Sequence, residues 1–105
     1  MTGVDVKVEA AGESVRVILV GDVDLANVEM VAAEVHAAIT NQVTAATVDL
    51  SNVGYLDSAG LRVLFELAVR LPTLQIALTL VSPAGSPARR VVDMSGLSAV
   101  TTVVP

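Results

Sequence analysis

A chain of 105 residues, 53% hydrophobic and 16% charged, has material for one folded domain (1–105) with a single core and is too apolar for disorder. One Phe, one Tyr and no Trp leave no aromatic platform for nucleic-acid bases, and a net charge of −5 repels phosphate backbones and anionic membranes. Without cysteine there is no disulfide, thiolate metal site or cysteine nucleophile.

No run of eighteen apolar residues is present, and Asp5, Glu9 and Glu13 interrupt the first residues, unlike a signal peptide. A cytoplasmic location is therefore expected. Val4 to Glu9 alternates apolar and polar residues, the pattern of a half-buried strand. A turn over Ala10–Ser14 and a second strand over Val15–Val20 complete an antiparallel hairpin. Gly21-Asp22-Val23-Asp24 breaks the strand. Asn27 then reads as the N-cap of a helix reaching about Thr40, with Val28, Val31, Ala32, Val35 and Ile39 as its apolar stripe and Glu29 in the first turn.

Ala46–Leu50 reads as a third strand, followed by a loop from Ser51 to Asp57. A second helix is predicted over Ser58–Leu71, stopped by Pro72, with Leu61, Leu64, Phe65, Ala68 and Leu71 facing the core. Gln75–Val81 is nearly all apolar and reads as a strand buried on both sides. Ser86-Pro87 opens a short third helix with Gly96 as its C′ residue, and Val100–Val104 is a closing strand. The order β-β-α-β-α-β-α-β predicts an α/β fold with a mixed sheet, parallel in its centre, and helices packed on it.

The segment with most chemical content runs from Val48-Asp49-Leu50 through Ser51-Asn52-Val53-Gly54-Tyr55-Leu56 to Asp57-Ser58-Ala59-Gly60-Leu61. Here a strand ends and a helix begins, at the sheet edge where α/β proteins gather their sites. A hydroxyl at a helix N-terminus is also a favourable seat for a phosphate, because free N–H groups and the helix dipole both favour anions. Ala59 and Gly60 carry no side chain that would shield Ser58. Asp and Ser are equally the preferred capping residues, and from spacing alone a plain helix cap is the readier explanation of the pair.

These residues resemble the signature of the anti-sigma factor antagonist, or STAS, family: an aliphatic-Asp-Leu segment leading to Asp-Ser-small-Gly-Leu. Val20-Gly21-Asp22-Val23-Asp24-Leu25 resembles the family's segment before the first helix, and Ser95-Gly96-Leu97 its ending of the third. The resemblance implies a STAS-like mixed sheet and a binding protein rather than an enzyme. It implies that Ser58 is phosphorylated by an anti-sigma factor that is itself a serine kinase. Asp57 would orient or assist that serine, and Asp24 would lie near it on the partner surface. Gly60 and Arg62 complete the expected partner-binding set Asp24, Asp57, Ser58, Gly60 and Arg62. Asn52 and Tyr55 depart from the small, threonine-like or aliphatic residues common at their positions.

Arg62 and Glu66 follow Ser58 along one helix face, as a solvated pair or a partner-contact stripe. Arg89 and Arg90, in the first turn of the third helix, oppose its dipole and read as surface or as a site for an acidic partner. The lone His36 has no metal co-ligands at suitable spacing, and no Gly-x-Ser-x-Gly elbow or phosphate-binding glycine loop occurs. No catalytic residue, metal or cofactor is expected. The implied partners are the anti-sigma factor kinase and a phosphoserine phosphatase; nucleic acid and membrane are not, and the chain is expected as a monomer or weak dimer. The rival implied by the same resemblance is a STAS subunit regulating an ABC-type membrane transporter.

Overall fold

The computed structural model describes residues 3–105. Two strands, β1 (Val4–Ala11) and β2 (Ser14–Val23), lead to helix α1 (Val28–Ala38) and strand β3 (Ala45–Leu56). Helix α2 (Ser58–Thr73), strand β4 (Ala77–Val81), helix α3 (Pro87–Ser95), a 3₁₀ turn (Leu97–Ala99) and strand β5 (Thr102–Val104) follow. The sheet has the order β1-β2-β3-β4-β5. β1 and β2 pair antiparallel through a turn with Gly12 at φ 61°, and every later pair is parallel, each crossover carrying one helix. This is the predicted order and the predicted mixed sheet.

Strand register explains the core. Val15, Val17, Ala46, Val48, Leu78 and Leu80 fall opposite one another on one sheet face, and all are buried. Val31 and Val35 of α1, with Leu64 and Leu67 of α2, close over the same layer alongside Leu19, Val48 and Leu50. Each such aliphatic side chain contributes roughly 1.5–3 kcal/mol by leaving water. The predicted α1 stripe is right in register, although Ala32 and Ile39 are only half-buried and the helix ends at Ala38. In α2, Leu64, Ala68 and Leu71 are buried as expected; Leu61 and Phe65 are half-buried, and Leu67 is an additional core residue.

Several expectations need correction. β2 does not break at Gly21 but runs on to Val23. The segment Ser51–Leu56 is not a loop but the second half of β3, which continues beside β2 to Leu56↔Val23. The pairing shifts between Ile18 and Val20 and again between Gly21 and Asp22, so Leu50, Val53 and Leu56 are buried at a spacing of three that does not read as a strand. Pro72 lies inside α2 rather than stopping it; the helix closes one residue later, with Leu74 N–H on Leu71 O and Gln75 at φ 61°. β4 alternates instead of being buried on both faces: Leu78 and Leu80 are buried, Thr79 and Val81 half-buried and Ala77 exposed. The closing strand begins at Thr102, because Leu97–Ala99 forms the 3₁₀ turn.

The other sheet face is held by charge. Arg16 Nη2 donates to Asp49 Oδ2 at 2.5 Å, joining β2 to β3, and Ser51 N–H donates to Asp49 Oδ1 at 2.9 Å. Burial pushes the Asp49 carboxyl up, but the hydrogen bonds from Ser51 and the Arg16 cation outweigh it and hold the group below its ordinary value. At α3, Ser86 Oγ caps Arg89 N–H, and Gly96 at φ 82° ends the helix as predicted. Arg89 is structural: it donates to Ser82 O at 2.7 Å and to Asp93 Oδ1 at 2.8 Å. Arg90 is exposed.

Candidate functional site

β2 and β3 end side by side, so the segment entering α1 and the start of α2 share one rim of the sheet. Asp57 joins them. Its Oδ1 accepts from Ala59 N–H (2.9 Å) and Gly60 N–H (3.1 Å), which makes it the N-cap of α2. Its Oδ2 accepts from Leu25 N–H (3.1 Å) in the neighbouring loop, while its own N–H donates to Val23 O at 3.3 Å. Both carboxylate oxygens are thus spent on backbone donors. Asp57 fixes the helix start and the facing loop, and among the described residues it makes no hydrogen bond to the Ser58 side chain.

That loop is tied internally. Asp24 Oδ1 accepts from Ala26 N–H at 2.9 Å, and Asn27 clasps the chain behind it, accepting from Asp24 N–H (3.0 Å) and donating to Asp22 O (2.8 Å). Asn27 is the N-cap residue of α1 as expected, but its side chain makes no cap hydrogen bond to the helix. These bonds hold Leu25 outward, 77% exposed although strongly apolar. The structure therefore brings Asp24 and Asp57 together through Leu25, whose N–H is bonded to Asp57.

Ser58 is the first residue of α2 and is exposed. It borders an open groove of about 350 Å³ between the starts of α1 and α2, lined by Leu25, Val28, Glu29, Ala59, Arg62 and Val63 as well. Arg62, one turn further along α2, is exposed and enters no ion pair among the described residues, with Glu66 or otherwise. Gly60, expected on the partner surface, is buried. A Cβ there would overlap Leu56 Cδ1 and stand 3.1 Å from Val23 Cγ1, so glycine lets α2 seat directly on the ends of β2 and β3. The N–H groups expected to welcome a phosphate are also partly used, since Asp57 already occupies those of Ala59 and Gly60. A phosphate on Ser58 would share the groove with the Glu29 carboxylate and the Arg62 guanidinium.

Leu25 and Glu29 lie outside the predicted site, as does Tyr55, which is 54% exposed at the end of β3. An apolar residue immediately after a Gly-Asp-Val-Asp break is a signal for the first: a chain that turns there has no core to bury it in.

A family model described as "Mlab, STAS domain" matches residues 6–104, and the chain belongs to this STAS domain family. Its fold is that of the anti-sigma factor antagonists. An anti-sigma factor antagonist from Mycobacterium paratuberculosis superposes with a TM-score of 0.88 at 22% identity, covering 98% of this chain and 86% of that one. The anti-sigma factor antagonist SpoIIAA in its unphosphorylated form gives 0.76 at 23% identity, covering 96% and 89%. The Bacillus cell fate determinant SpoIIAA in the phosphorylated form gives 0.72 at 22%, covering 96% and 92%. No curated protein sequence matches the chain. Among the described residues, no helix is long and apolar enough to cross a membrane.

Proposed function

We propose that this chain is an anti-sigma factor antagonist that binds an anti-sigma factor serine kinase in the cytoplasm and so releases a sigma factor, and that phosphorylation of Ser58 ends the binding. The observation that carries this reading is the position of Ser58: exposed, beside a groove of mixed apolar and charged lining, on a helix start already capped by its neighbour Asp57. Capping explains the aspartate and leaves the serine without a structural task. Leu25, Val28 and Val63 supply apolar contact in the groove, and Glu29 and Arg62 supply polar contacts at its border. A dianion placed there meets Glu29 and desolvates poorly against a partner, so a docked surface is lost while the isolated domain stays folded. That SpoIIAA is known in unphosphorylated and phosphorylated forms supports the same chemistry here.

In this reading the chain is a substrate and a binding module; nucleotide and metal belong to the kinase, and a phosphoserine phosphatase resets the switch. The test is mass spectrometry after incubation with the cognate kinase and ATP. A single phosphate on Ser58, absent from Ser58→Ala, is expected. Phosphate on Ser51, Ser86 or Ser95 instead, or co-purification with a transporter ATPase and permease in place of a kinase, would overturn the assignment.

A further inference from the structure

The two edges of the sheet are built differently. β5 is only three residues long, a short edge that offers little to another chain. β1 is eight residues long, contains no proline and pairs with β2 without a register shift from Val4↔Gly21 to Ala11↔Ser14. Among the described residues no strand pairs with its outer edge, and Lys7 to Ala11 are all exposed. The usual devices that blunt an edge are shortness, proline, a bulge and charge; only charge is present here.

The outer edge also has a defined polarity. Gly3 O accepts from Asp22 N–H at 3.0 Å, and these two residues are opposite in the β1–β2 register. Bonded positions alternate along an antiparallel ladder, so the odd-numbered residues of β1 bond to β2 and the even-numbered Val4, Val6, Val8 and Ala10 turn N–H and C=O outward. By register with Leu19, Val17 and Val15, the side chains of Val6, Val8 and Ala10 lie on the core face of the sheet. Val8 is nevertheless 46% exposed.

We propose that β1 pairs antiparallel with β1 of a second copy about a two-fold axis at Val8, joining the two sheets into one. Val8 then faces Val8, Val6 faces Ala10, and the apolar stripe runs unbroken across the axis. On the opposite face Lys7 meets Glu9 twice. These pairs fall at the non-hydrogen-bonded positions, where side chains approach most closely. An axis at Lys7 would set Lys7 against itself and Asp5 against Glu9. An axis between residues would align apolar side chains with charged ones. An axis at Val6 pairs Asp5 with Lys7 but uses less of the strand and sets Glu9 opposite Gly3. The charge pattern and the length of the edge thus select Val8.

Sedimentation of the full chain over a wide concentration range tests this, with circular dichroism to verify that every variant folds. The wild type is expected to dimerise reversibly. Val8→Pro removes an outward N–H and no β1–β2 bond, and is expected to be monomeric with an unchanged spectrum. Lys7→Glu sets two carboxylates together at both symmetric pairs and Glu9→Lys sets two ammonium groups together, each weakening the dimer by roughly tenfold or more. The double variant Lys7→Glu/Glu9→Lys restores opposite pairs and should recover the dimer. A wild type that stays monomeric at millimolar concentration, a dimer untouched by Val8→Pro or Glu9→Lys, or a double variant that fails to recover would overturn the proposal.

Discussion

Asp49 lies within β3 and Asp57 just past its end, and both accept hydrogen bonds from backbone N–H groups, yet they organise different regions. Asp49 is buried, paired with Arg16 across β2 and β3, and holds two strands of the sheet in register. Asp57 is only partly buried, has no cation partner among the described residues, and holds the β2–α1 loop against the start of α2. The first belongs to the body of the sheet, where strand pairing already fixes the backbone. The second belongs to the rim, just past the last β2–β3 pair, where its three side-chain hydrogen bonds, with those of Asp24 and Asn27, set the shape of the groove. Removing the first should cost stability with little change at the groove. Removing the second should disturb the groove more than the stability.

The largest effect is expected where the rim meets the sheet. Gly60→Val would drive a branched side chain into Leu56 and Val23 and should cost about 2–3 kcal/mol in denaturant unfolding. A variant as stable as the wild type would show that α2 is not seated as described. Asp49→Ala should cost about 1–2 kcal/mol, since the Ser51 N–H loses its acceptor and Arg16, itself part-exposed, loses its partner. Its affinity for the anti-sigma factor should be unchanged, and a loss there would erase the contrast between the two acids. Asp57→Ala should cost about 1 kcal/mol, as for the loss of a helix cap, but weaken partner binding clearly because Leu25 is released. Asp57→Asn keeps acceptors for part of this network and should fall between.

A smaller and sharper difference lies in pH. The carboxyl of Asp49 is held below its ordinary value in the folded state, so its contribution is complete above the unfolded value of about 4 and is lost as pH falls through the folded value. The stability gap between wild type and Asp49→Asn should therefore narrow below about pH 4 in urea titrations at stepped pH. A gap constant from neutral pH down to full protonation would mean that the Arg16 contact contributes nothing through charge.

The parts of this molecule that sequence reveals are those obeying a simple period. Alternation in Val4–Glu9 and the Val28, Val31 and Val35 spacing predicted a strand and a helix, and both are present in the predicted register. Bulges defeat that logic: β3 shifts pairing twice, so Val53 and Leu56 are buried without alternating, and half the strand read as loop. Proline lacks an amide donor, which predicts a stop at Pro72, but in the last turn of α2 the loss of one bond is tolerated. At the rim, the Asp57-Ser58 pair was visible while the division of labour was not. Asp and Ser are both capping residues, so the sequence does not say that Asp57 is the one that caps α2, and the bond from Leu25 N–H to Asp57 spans two loops distant along the chain. Gly60 was likewise read as openness at the surface, when its role is close packing beneath it.

The central claim is that the rim is built around a serine whose modification changes binding without changing the fold. Its most direct test is calorimetric titration of the cognate anti-sigma factor with the unmodified and the Ser58-phosphorylated protein, with melting temperatures recorded for both. Equal melting behaviour and an affinity lowered by about a hundredfold or more are predicted, the effect of a dianion in a partly desolvated contact. Equal affinities for the two forms, or a phosphorylated protein that binds less only because it has unfolded, would contradict the account.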